Sequence, residues 1–274
     1  MNKKLCFIMY VAGERYYPYI PFFLHSVIKA YPEHFTFIGI KGVLPDKIKW
    51  EISQLDGSKF HIFSEVFSEW PDDPDIVKTL RWLWFEPSFL EFENIYIGDI
   101  DILITREQPG ILERNLGVCE DNGSDYANTT GIDPIATRGL RMTGLHFAHS
   151  RPYFEKMLPV MTHYRRILRE KMPQAFFNDK LAKYDNQMAL AIMMVEAGYT
   201  LQTHGHFEYN GLHLGHSRVK NRWEQLFKTD PNHRAYFKEF LNYCDEDFKV
   251  LLASTTPEVR DEINLMIKAG REYA

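Results

Sequence analysis

The chain has 274 residues, of which 45% are hydrophobic and 25% charged, and its formal net charge at pH 7 is -5. These values are typical of a globular protein with a sizeable core and exclude a disordered chain. They also exclude the whole-protein basic field of many nucleic-acid-binding proteins. Aromatic residues make up 15% of the chain, and such side chains line sites for sugars and bases as well as cores.

The three cysteines, Cys6, Cys119 and Cys244, are far apart and do not have metal-binding spacing. Their odd number and spacing favour a reducing compartment, so we predict a cytoplasmic protein. The apolar run that follows Lys3 and Lys4 is too short for a signal peptide and is better interpreted as a first strand. No segment approaches the roughly 20 apolar residues of a membrane span.

The first part of the chain alternates between strand and helix patterns. We expect strands over 5–11, 35–40 and 60–63, and helices over about 18–30 and 45–55. A loop containing Gly13 follows the first strand. Strands that alternate with helices predict a parallel, doubly wound sheet.

The most informative stretch is 94–104, Asn-Ile-Tyr-Ile-Gly-Asp-Ile-Asp-Ile-Leu-Ile, which has the apolar character of a buried strand. Asp99 and Asp101 interrupt it, and residues two apart share a face of an ideal strand. We expect the strand to end at Gly98 and the two carboxylates to meet a divalent metal, since oxygen ligands suit Mg²⁺ and Mn²⁺. The alternative is a surface turn with solvated aspartates, but the apolar residues that follow favour the metal.

A helix is predicted over 77–92, immediately before this strand. Lys78 and Arg81 are three residues apart and therefore share a helix face. Both side chains suit anionic phosphates, and a solvated basic edge is an equal alternative.

The second half of the sequence is less regular. Residues 105–142 are rich in Gly, Asn, Asp and Thr and predict a loop-rich insertion over the site, with a short strand at most. We expect a strand over 143–148, a helix over 153–171 and an apolar helix that opens at Asp185 and ends at Gly198.

Four of the eleven histidines, His204, His206, His213 and His216, fall close together. Such a cluster suggests a metal or phosphate site, and polar loop histidines are the alternative. From 221 onward the pattern is helical, and Thr256 and Pro257 begin an amphipathic last helix. We expect this helix to dock on the domain rather than to contact a membrane surface, because basic residues do not dominate its polar face.

The order of these motifs resembles that of metal-dependent glycosyltransferases of the GT-A fold, nearest in pattern to the retaining family-8 type. The resembling segments span most of the chain: the loop and helix up to Ser26, 78–81, the Tyr-x-Asp-x-Asp-like stretch 96–101, 143–147, and the segments 185–187 and 213–223. The chain departs from the family pattern in three places. Gly98 is an extra residue, His213 precedes Gly215 by only two positions, and Lys-Asn-Arg-Trp replaces Lys-Pro-Trp.

The resemblance implies a GT-A-like α/β fold, with a mostly parallel sheet flanked by helices and a C-terminal helical extension. The implied catalytic domain is 1–223, with a nucleotide-sugar half (1–104) and an acceptor and metal-completing half (105–223), and 224–274 is the extension. The implied activity is transfer of a sugar from a UDP-sugar, with Mn²⁺ or Mg²⁺, to a glycan, lipid-linked glycan or protein. A retaining path needs no protein nucleophile.

The same resemblance assigns roles to individual residues. The metal ligands are Asp99 and Asp101, with His213, or failing that His216, completing the shell. Asp185 and Asn186 lie on the catalytic side, and Asp185 is the general base if the enzyme inverts. The donor is bound by residues from five stretches: Ala12, Gly13, Tyr16, Tyr17, Lys78, Arg81, Asp99, Ile100, Thr143, Gly144, Arg218 and Lys220.

Two other functions remain open. The first is a nucleotide-sugar or carbohydrate-binding protein without turnover. The second is a sugar nucleotidyltransferase, which would open with a Gly-rich basic loop. Here the loop over 12–17 has one glycine, which argues against that enzyme.

Overall fold

A computed structural model of the chain describes residues 3–70, 72–128, 130–132, 140–169, 186–201 and 210–274. Its main sheet has six strands, and two further pairs of short strands lie outside it. The main-sheet strands are β1 (Lys3–Val11), β2 (Phe35–Ile40), β3 (Phe60–Phe63), β4 (Phe92–Gly98), β6 (Tyr126–Ala127) and β9 (His146–His149). The paired strands are β5 (Ile102–Ile104) with β10 (Gly211–His213), and β7 (Thr130–Ile132) with β8 (Leu140–Met142).

The strand order of the main sheet is β3-β2-β1-β4-β9-β6. Strands β1 to β4 are parallel, and β1 pairs with β4 so that Phe7 lies opposite Tyr96. Strand β9 runs antiparallel to both β4 and β6. The mostly parallel sheet predicted from the alternation of strands and helices is therefore confirmed, with one antiparallel strand that the pattern did not indicate.

Ten α-helices lie within the described residues. They are α1 (Ile20–Ala30), α2 (Asp46–Ser53), α3 (Pro74–Thr79), α4 (Ile111–Asn122), α5 (Ser150–Arg169), α6 (Asn186–Glu196), α7 (Arg222–Thr229), α8 (Pro231–Leu241), α9 (Glu246–Ser254) and α10 (Pro257–Tyr273). Short 3-10 helices cover Glu14–Tyr19, Gly57–Lys59, Leu80–Trp82, Pro87–Glu91 and Leu214–Arg218. None of these helices is long and apolar enough to cross a membrane.

The sheet separates two hydrophobic cores, because alternate residues of a strand point to opposite faces. Phe7 on β1 faces the core that contains α1, α2, α4 and the C-terminal helices. Its neighbour Ile8 faces the second core, which contains the aromatic residues before β4 and helices α5 and α6. The C-terminal helices dock on the first core through buried residues such as Ile263 and Met266. The predicted flanking helices and C-terminal helical extension are thus confirmed.

Three expectations about individual elements were wrong. The helix expected over 77–92 ends at Thr79 and gives way to 3-10 turns over 80–82 and 87–91, and the proline at 87 rules out a continuous α-helix through that position. The loop-rich segment 105–142 contains the three-turn helix α4, which ends where Gly123 adopts a left-handed φ of 56°. The strand expected over 143–148 begins only at His146.

Candidate active site

A pocket of about 260 Å³ opens at the carboxyl ends of β1 and β4, the edge at which open α/β sheets bind ligands. Its wall combines segments that are far apart in sequence: the end of β1 and the loop after it, α3, the turn after β4, the start of α6 and the end of β10. The lining residues are Tyr10, Val11, Ala12, Tyr16, Val77, Lys78, Arg81, Gly98, Asp99, Ile100, Asp101, Asn186 and His213.

Asp99 is the first of the two aspartates that follow β4, and it forms an ion pair with Arg81. The Arg81 side chain is only 11% exposed, and its guanidinium lies 4.5 Å from the centre of the Trp82 ring. Such contacts with a carboxylate and an aromatic face are the ones that arginine makes best. Arg81, which the sequence predicted to share a helix face with Lys78, is therefore part of the pocket wall.

Gly144 lies directly beside this ion pair. A Cβ atom at position 144 would be 2.8 Å from Oδ2 of Asp99 and 3.1 Å from Nη2 of Arg81. The preceding residue, Thr143, is held by Asn128, whose side-chain oxygen accepts hydrogen bonds from the Thr143 backbone N–H at 2.9 Å and hydroxyl at 3.0 Å. The 143–144 segment thus approaches the pair closely only because residue 144 has no side chain.

Asp101 occupies a different environment, although it is only two residues further on. Its side chain is 9% exposed; Oδ1 lies 3.5 Å from Nε2 of His213, and Oδ2 lies 3.4 Å from Nη2 of Arg218. Burial raises the pKa of Asp101, His213 opposes that rise, and the nearby charge of Asp99 adds to it. The ionised carboxylate would therefore gain from a further cation.

His213 reaches Asp101 because of strand pairing. Strand β10 is antiparallel to β5, with His213 opposite Ile102, and the backbone N–H of Leu214 donates a hydrogen bond of 2.8 Å to the carbonyl of Asp101. His216 lies deeper, with its ring centre 5.2 Å from that of His213 and 5.4 Å from that of Trp223. Burial lowers the pKa of His216 to about 3, so its ring is neutral near pH 7. Of the two histidines predicted to complete a metal shell, His213 is the one that lines the pocket.

The two tyrosines predicted to bind the donor lie in different surroundings. Tyr16 is half-buried and lines the pocket next to Ala12, and its hydroxyl accepts a hydrogen bond of 2.5 Å from Arg15. Tyr17 is buried in the first core, with its hydroxyl against Gly42. Gly13 lies in the chain between Ala12 and Tyr16. Its backbone has a left-handed φ of 94°, at which a side chain would be strained.

Of the remaining predicted residues, the structure describes Asn186 and Lys220. Asn186 lines the pocket at the start of α6, and its side-chain N–H₂ donates to the carbonyl of Lys78 at 3.4 Å. Asp185, His204 and His206 are outside the described residues. Lys220 is exposed on the loop that follows Arg218.

Two side chains of the types that bind divalent cations lie close together in the pocket. A buried carboxylate, Asp101, and the imidazole of His213 lie together, and Gly215 leaves space beside them, since a Cβ there would be 2.5 Å from the His213 ring and 3.4 Å from Asp101. No group of three His, Cys, Asp or Glu side chains in the described part of the chain is arranged to hold a metal. Asp101 and His213 are thus two neighbouring donors that a divalent ion could use, short of a complete ligand set, and the carboxylate of Asp99 is engaged by Arg81.

Sequence reasoning missed several residues that shape the pocket: Tyr10, Val77, Gly98 and Asn128. The first three are apolar or aromatic residues at the ends of elements, which a search for charged motifs passes over. Asn128 is buried and bridges Thr143 to His146, with 3.1 Å between its side-chain nitrogen and Nδ1 of the histidine. An isolated asparagine gives no sequence signal for such a role.

A second cavity, of about 460 Å³, lies at the opposite edge of the sheet, where β1, β2 and β4 begin. Its basic residues are Lys3, Lys4, Lys59 and Arg106. Lys3 pairs with Glu91 at 2.6 Å and Lys4 with Glu93 at 2.9 Å. Lys59 donates to the carbonyl of Pro32 at 2.8 Å, and Arg106 pairs with Glu33 at 3.1 Å. Its charges are thus largely matched within the protein.

Together, the fold and the pocket define an α/β protein with a candidate ligand pocket at the carboxyl edge of a mostly parallel sheet, lined by both carboxylates and basic groups. No protein-family model matches the chain, and a search of curated proteins finds no significant match.

Several solved structures that are similar to this chain are glycosyltransferases. The glycosyltransferase GlyE of Streptococcus pneumoniae TIGR4 matches with a TM-score of 0.42 and 12% identity, over 69% of this chain and 43% of that one. The galactosyltransferase LgtC, in complex with donor and acceptor sugar analogs, has the same TM-score and identity, over 69% of this chain and 70% of that one. The bifunctional glycosyltransferase WbbM matches with a TM-score of 0.48 and 12% identity, over 93% of this chain and 45% of its own.

The chain thus spans less than half of the GlyE and WbbM chains. At these identities and TM-scores the likenesses carry no conclusion about activity, which has to be argued from the pocket of this chain.

Proposed function

We propose that this protein is a glycosyltransferase that moves a sugar from a nucleotide-sugar donor of the UDP-sugar class to a glycan or related acceptor. One observation supports this most: two carboxylates, Asp99 and Asp101, share a pocket at the carboxyl edge of the sheet with the basic residues Lys78 and Arg81. A nucleoside diphosphate with its counter-cation needs both kinds of group, cationic ones for the phosphates and anionic ones for the cation. In this proposal 1–223 is the catalytic domain and 224–274 its helical extension.

The donor would lie along the edge of the sheet. The half-buried ring of Tyr16, which lines the pocket with Ala12, would stack on the base, and Gly13 would contact the donor beside it. Asp99 and Ile100 would contact the ribose. Thr143 and Gly144, next to the Asp99–Arg81 pair, would contact the transferred sugar.

Four basic side chains would bind the diphosphate. Arg81 and Lys78 are already in the pocket wall. Arg218, at the end of the 3-10 helix after β10, is already held beside Asp101, and Lys220, on the loop that follows, would close over the donor. Because Arg81 is paired with Asp99 in the free protein, the diphosphate would share this guanidinium with the carboxylate. That arrangement keeps the arginine oriented before the donor arrives.

A divalent ion, Mn²⁺ or Mg²⁺, would be held by Asp101 and His213, with Asp99 close by. When bound, it would neutralise the negative charge that develops on the leaving diphosphate. The raised pKa of Asp101 is consistent with this role, since a buried carboxylate that is costly to ionise by itself is stabilised by a cation.

The transfer step would break the bond between the sugar C1 and the diphosphate oxygen and form a bond from C1 to the acceptor oxygen. The acceptor proton would pass to the leaving phosphate, and a nucleoside diphosphate would be released. Asn186, in the pocket wall, would orient the sugar hydroxyls, and Asp185 precedes it in the chain. On a retaining path no protein base is required, whereas an inverting path requires one, for which Asp185 is the candidate.

Incubation of the protein with Mn²⁺, a panel of nucleotide-sugars and a mixture of glycan acceptors would test the proposal through release of free nucleoside diphosphate. We expect release from one donor class and a loss of about 100-fold in Asp101→Ala. The exposed Asp121→Asn in α4 is the matched control and should keep wild-type activity. Tight nucleotide binding without release would instead support a binding protein, and pyrophosphate-dependent formation of the nucleotide-sugar would support a nucleotidyltransferase.

A further inference from the structure

Arg218, on the 3-10 turn after β10, is held by three partners from different parts of the chain. Its Nε donates to Oε1 of Glu262 at 2.9 Å, and its Nη2 donates to the hydroxyl of Tyr19 at 2.9 Å. The same Nη2 lies 3.4 Å from Oδ2 of Asp101, at the bottom of the pocket. The guanidinium is therefore fixed with its Nη side towards the pocket and its Nε side towards the C-terminal helix α10.

Glu262 lies at the centre of this arrangement. Its second oxygen, Oε2, accepts a hydrogen bond of 2.6 Å from the hydroxyl of Tyr19, so both carboxylate oxygens are used. Its side chain is only 16% exposed, compared with 44% for Arg218. A buried acceptor that holds a more exposed arginine restricts the arginine, since a free guanidinium on a flexible stem would sample many rotamers in solvent.

The backbone of the same residue anchors the same turn. The carbonyl of Glu262 accepts a hydrogen bond of 3.0 Å from the hydroxyl of Ser217, and Nε1 of Trp223 donates to that hydroxyl oxygen at 2.7 Å. Helix α10 thus contacts residues 217 and 218 through one position, using both its backbone and its side chain. The packing of α10 does not require these contacts of Glu262, because the apolar stripe of the helix (Val259, Ile263, Met266) already docks it on the core.

We infer that Glu262, in the C-terminal helical extension, is a positioning residue that holds the guanidinium of Arg218 over the pocket so that it can bind the diphosphate of the donor. The inference rests on the proposed function, because it assigns the ligand of Arg218 as a diphosphate. The guanidinium carries five N–H donors, of which these contacts engage Nε and Nη2. The Nη1 edge can therefore meet the ligand without loss of the contact to Glu262.

The test is a double-mutant cycle on ligand binding. The affinity for UDP with Mn²⁺ is measured by calorimetry for wild type, Glu262→Ala, Arg218→Ala and the double variant. We expect each single variant to raise the Kd for UDP roughly tenfold and the double variant to be no weaker than Arg218→Ala alone, because the effect of Glu262 passes through Arg218. In transfer assays, Glu262→Ala should raise the KM for the donor and change kcat less than about twofold.

Two further variants separate positioning from folding. Glu262→Gln retains the acceptor oxygen and should recover most of the UDP affinity. Glu258→Ala removes an exposed carboxylate from the first turn of the same helix and should leave the affinity unchanged. Additive losses in the double variant, or an unchanged Kd in Glu262→Ala, would overturn the inference and leave the proposed function standing. A wild-type protein that binds no nucleoside diphosphate would overturn both.

Discussion

The two edges of the main sheet each carry a cavity and a set of charged residues, but they differ in how those charges are placed. At the amino edge the larger cavity, of about 460 Å³, is bordered by ion pairs such as that of Lys3 with Glu91, whose side chains are 52% and 57% exposed. At the carboxyl edge the pocket of about 260 Å³ contains Arg81 and Asp101, which are 11% and 9% exposed.

Burial, rather than cavity size, distinguishes the edge that we propose to be functional. Exposed ion pairs contribute little to the free energy of folding, and little is gained when a ligand displaces them. The buried charges of the carboxyl edge are costly to keep without a partner, and the nearest partners of the Asp101 carboxylate are Nη2 of Arg218 at 3.4 Å and Nε2 of His213 at 3.5 Å. A ligand that brings an opposite charge to this edge gains free energy that the amino edge does not offer.

The largest expected effect is that of Arg81→Ala. It removes a phosphate ligand and leaves the carboxylate of Asp99 without its ion-pair partner, so we expect transfer activity to fall about 100-fold. The measurement is initial rates of nucleoside diphosphate release at saturating acceptor. Arg106→Ala, at the opposite edge, removes another arginine paired with a glutamate and should change the rate less than about twofold. Equal losses in both variants would contradict the distinction between the two edges.

A smaller effect is expected from Gly144→Ala. The added methyl group would contact both Asp99 and Arg81 and force the ion pair apart, and we expect a decrease of roughly tenfold in kcat/KM. Gly117→Ala in α4 is the matched control, since a Cβ there meets nothing within 4 Å. That control should retain full activity and be slightly more stable, because alanine favours a helix over glycine.

Asp101→Asn should be less active but more stable. The carboxyl of Asp101 has a folded-state pKa raised by burial, so the folded protein binds its proton more tightly than the unfolded chain. Its ionisation therefore decreases folding stability as pH rises through the interval between the unfolded and folded pKa values. In EDTA at pH 7 we expect Asp101→Asn to raise the free energy of unfolding by about 1 kcal/mol.

Urea denaturation at two pH values measures this effect. The increase in the free energy of unfolding of Asp101→Asn over wild type should disappear near pH 3, because Asp101 of the wild type is then protonated in both the folded and the unfolded state. A variant that is destabilised at pH 7 would show that the contacts of Asp101 with His213 and Arg218 outweigh its burial.

The smallest effects are expected at the amino edge. Lys3→Ala and Lys4→Ala each remove one exposed ion pair and should lower the free energy of unfolding by about 0.5 kcal/mol or less. Thermal unfolding at low and high salt would measure this, and the difference from wild type should shrink as salt screens the pair. A marked loss of UDP binding in either variant would mean that the amino edge also contributes to function.

The parallel part of the fold was predictable because its strands are short buried apolar runs. Strand β2 has the predicted limits, and β4 ends at Gly98 as predicted. An apolar helix before Gly198, as expected, and the Pro257 start of α10 are also confirmed, while the predicted opening at Asp185 lies outside the described residues. Local patterns of this kind are set by burial and by capping residues, which the sequence displays directly.

The relation between the two aspartates was less predictable. Residues two apart share a face only in an extended strand, and Asp99 and Asp101 instead lie in the turn between β4 and β5. One carboxylate consequently meets Arg81 and the other meets His213 and Arg218. Which residues share the pocket depends on that turn geometry, so the metal ligands and donor contacts named from the sequence stay predictions.

The errors share a cause in tertiary structure. Helix α4 has only two fully buried residues, Ile111 and Cys119, so its hydrophobic period is weak. The direction of β9 is set by its pairing with β4, and the residues of β9 themselves contain no pattern that indicates it. Arg218 and Glu262, which are in contact, are 44 residues apart in sequence. The spacing of residues within one helix or strand cannot predict such a contact.

The packing of Arg81 over Trp82 gives the protein an optical probe of its own. The guanidinium lies 4.5 Å from the centre of an indole that is fully buried, and indole emission responds to the position of a neighbouring charge. A phosphate that draws Arg81 towards the pocket would therefore alter the fluorescence of Trp82. Replacing the other four tryptophans with phenylalanine would allow pocket occupancy to be followed in real time without a label.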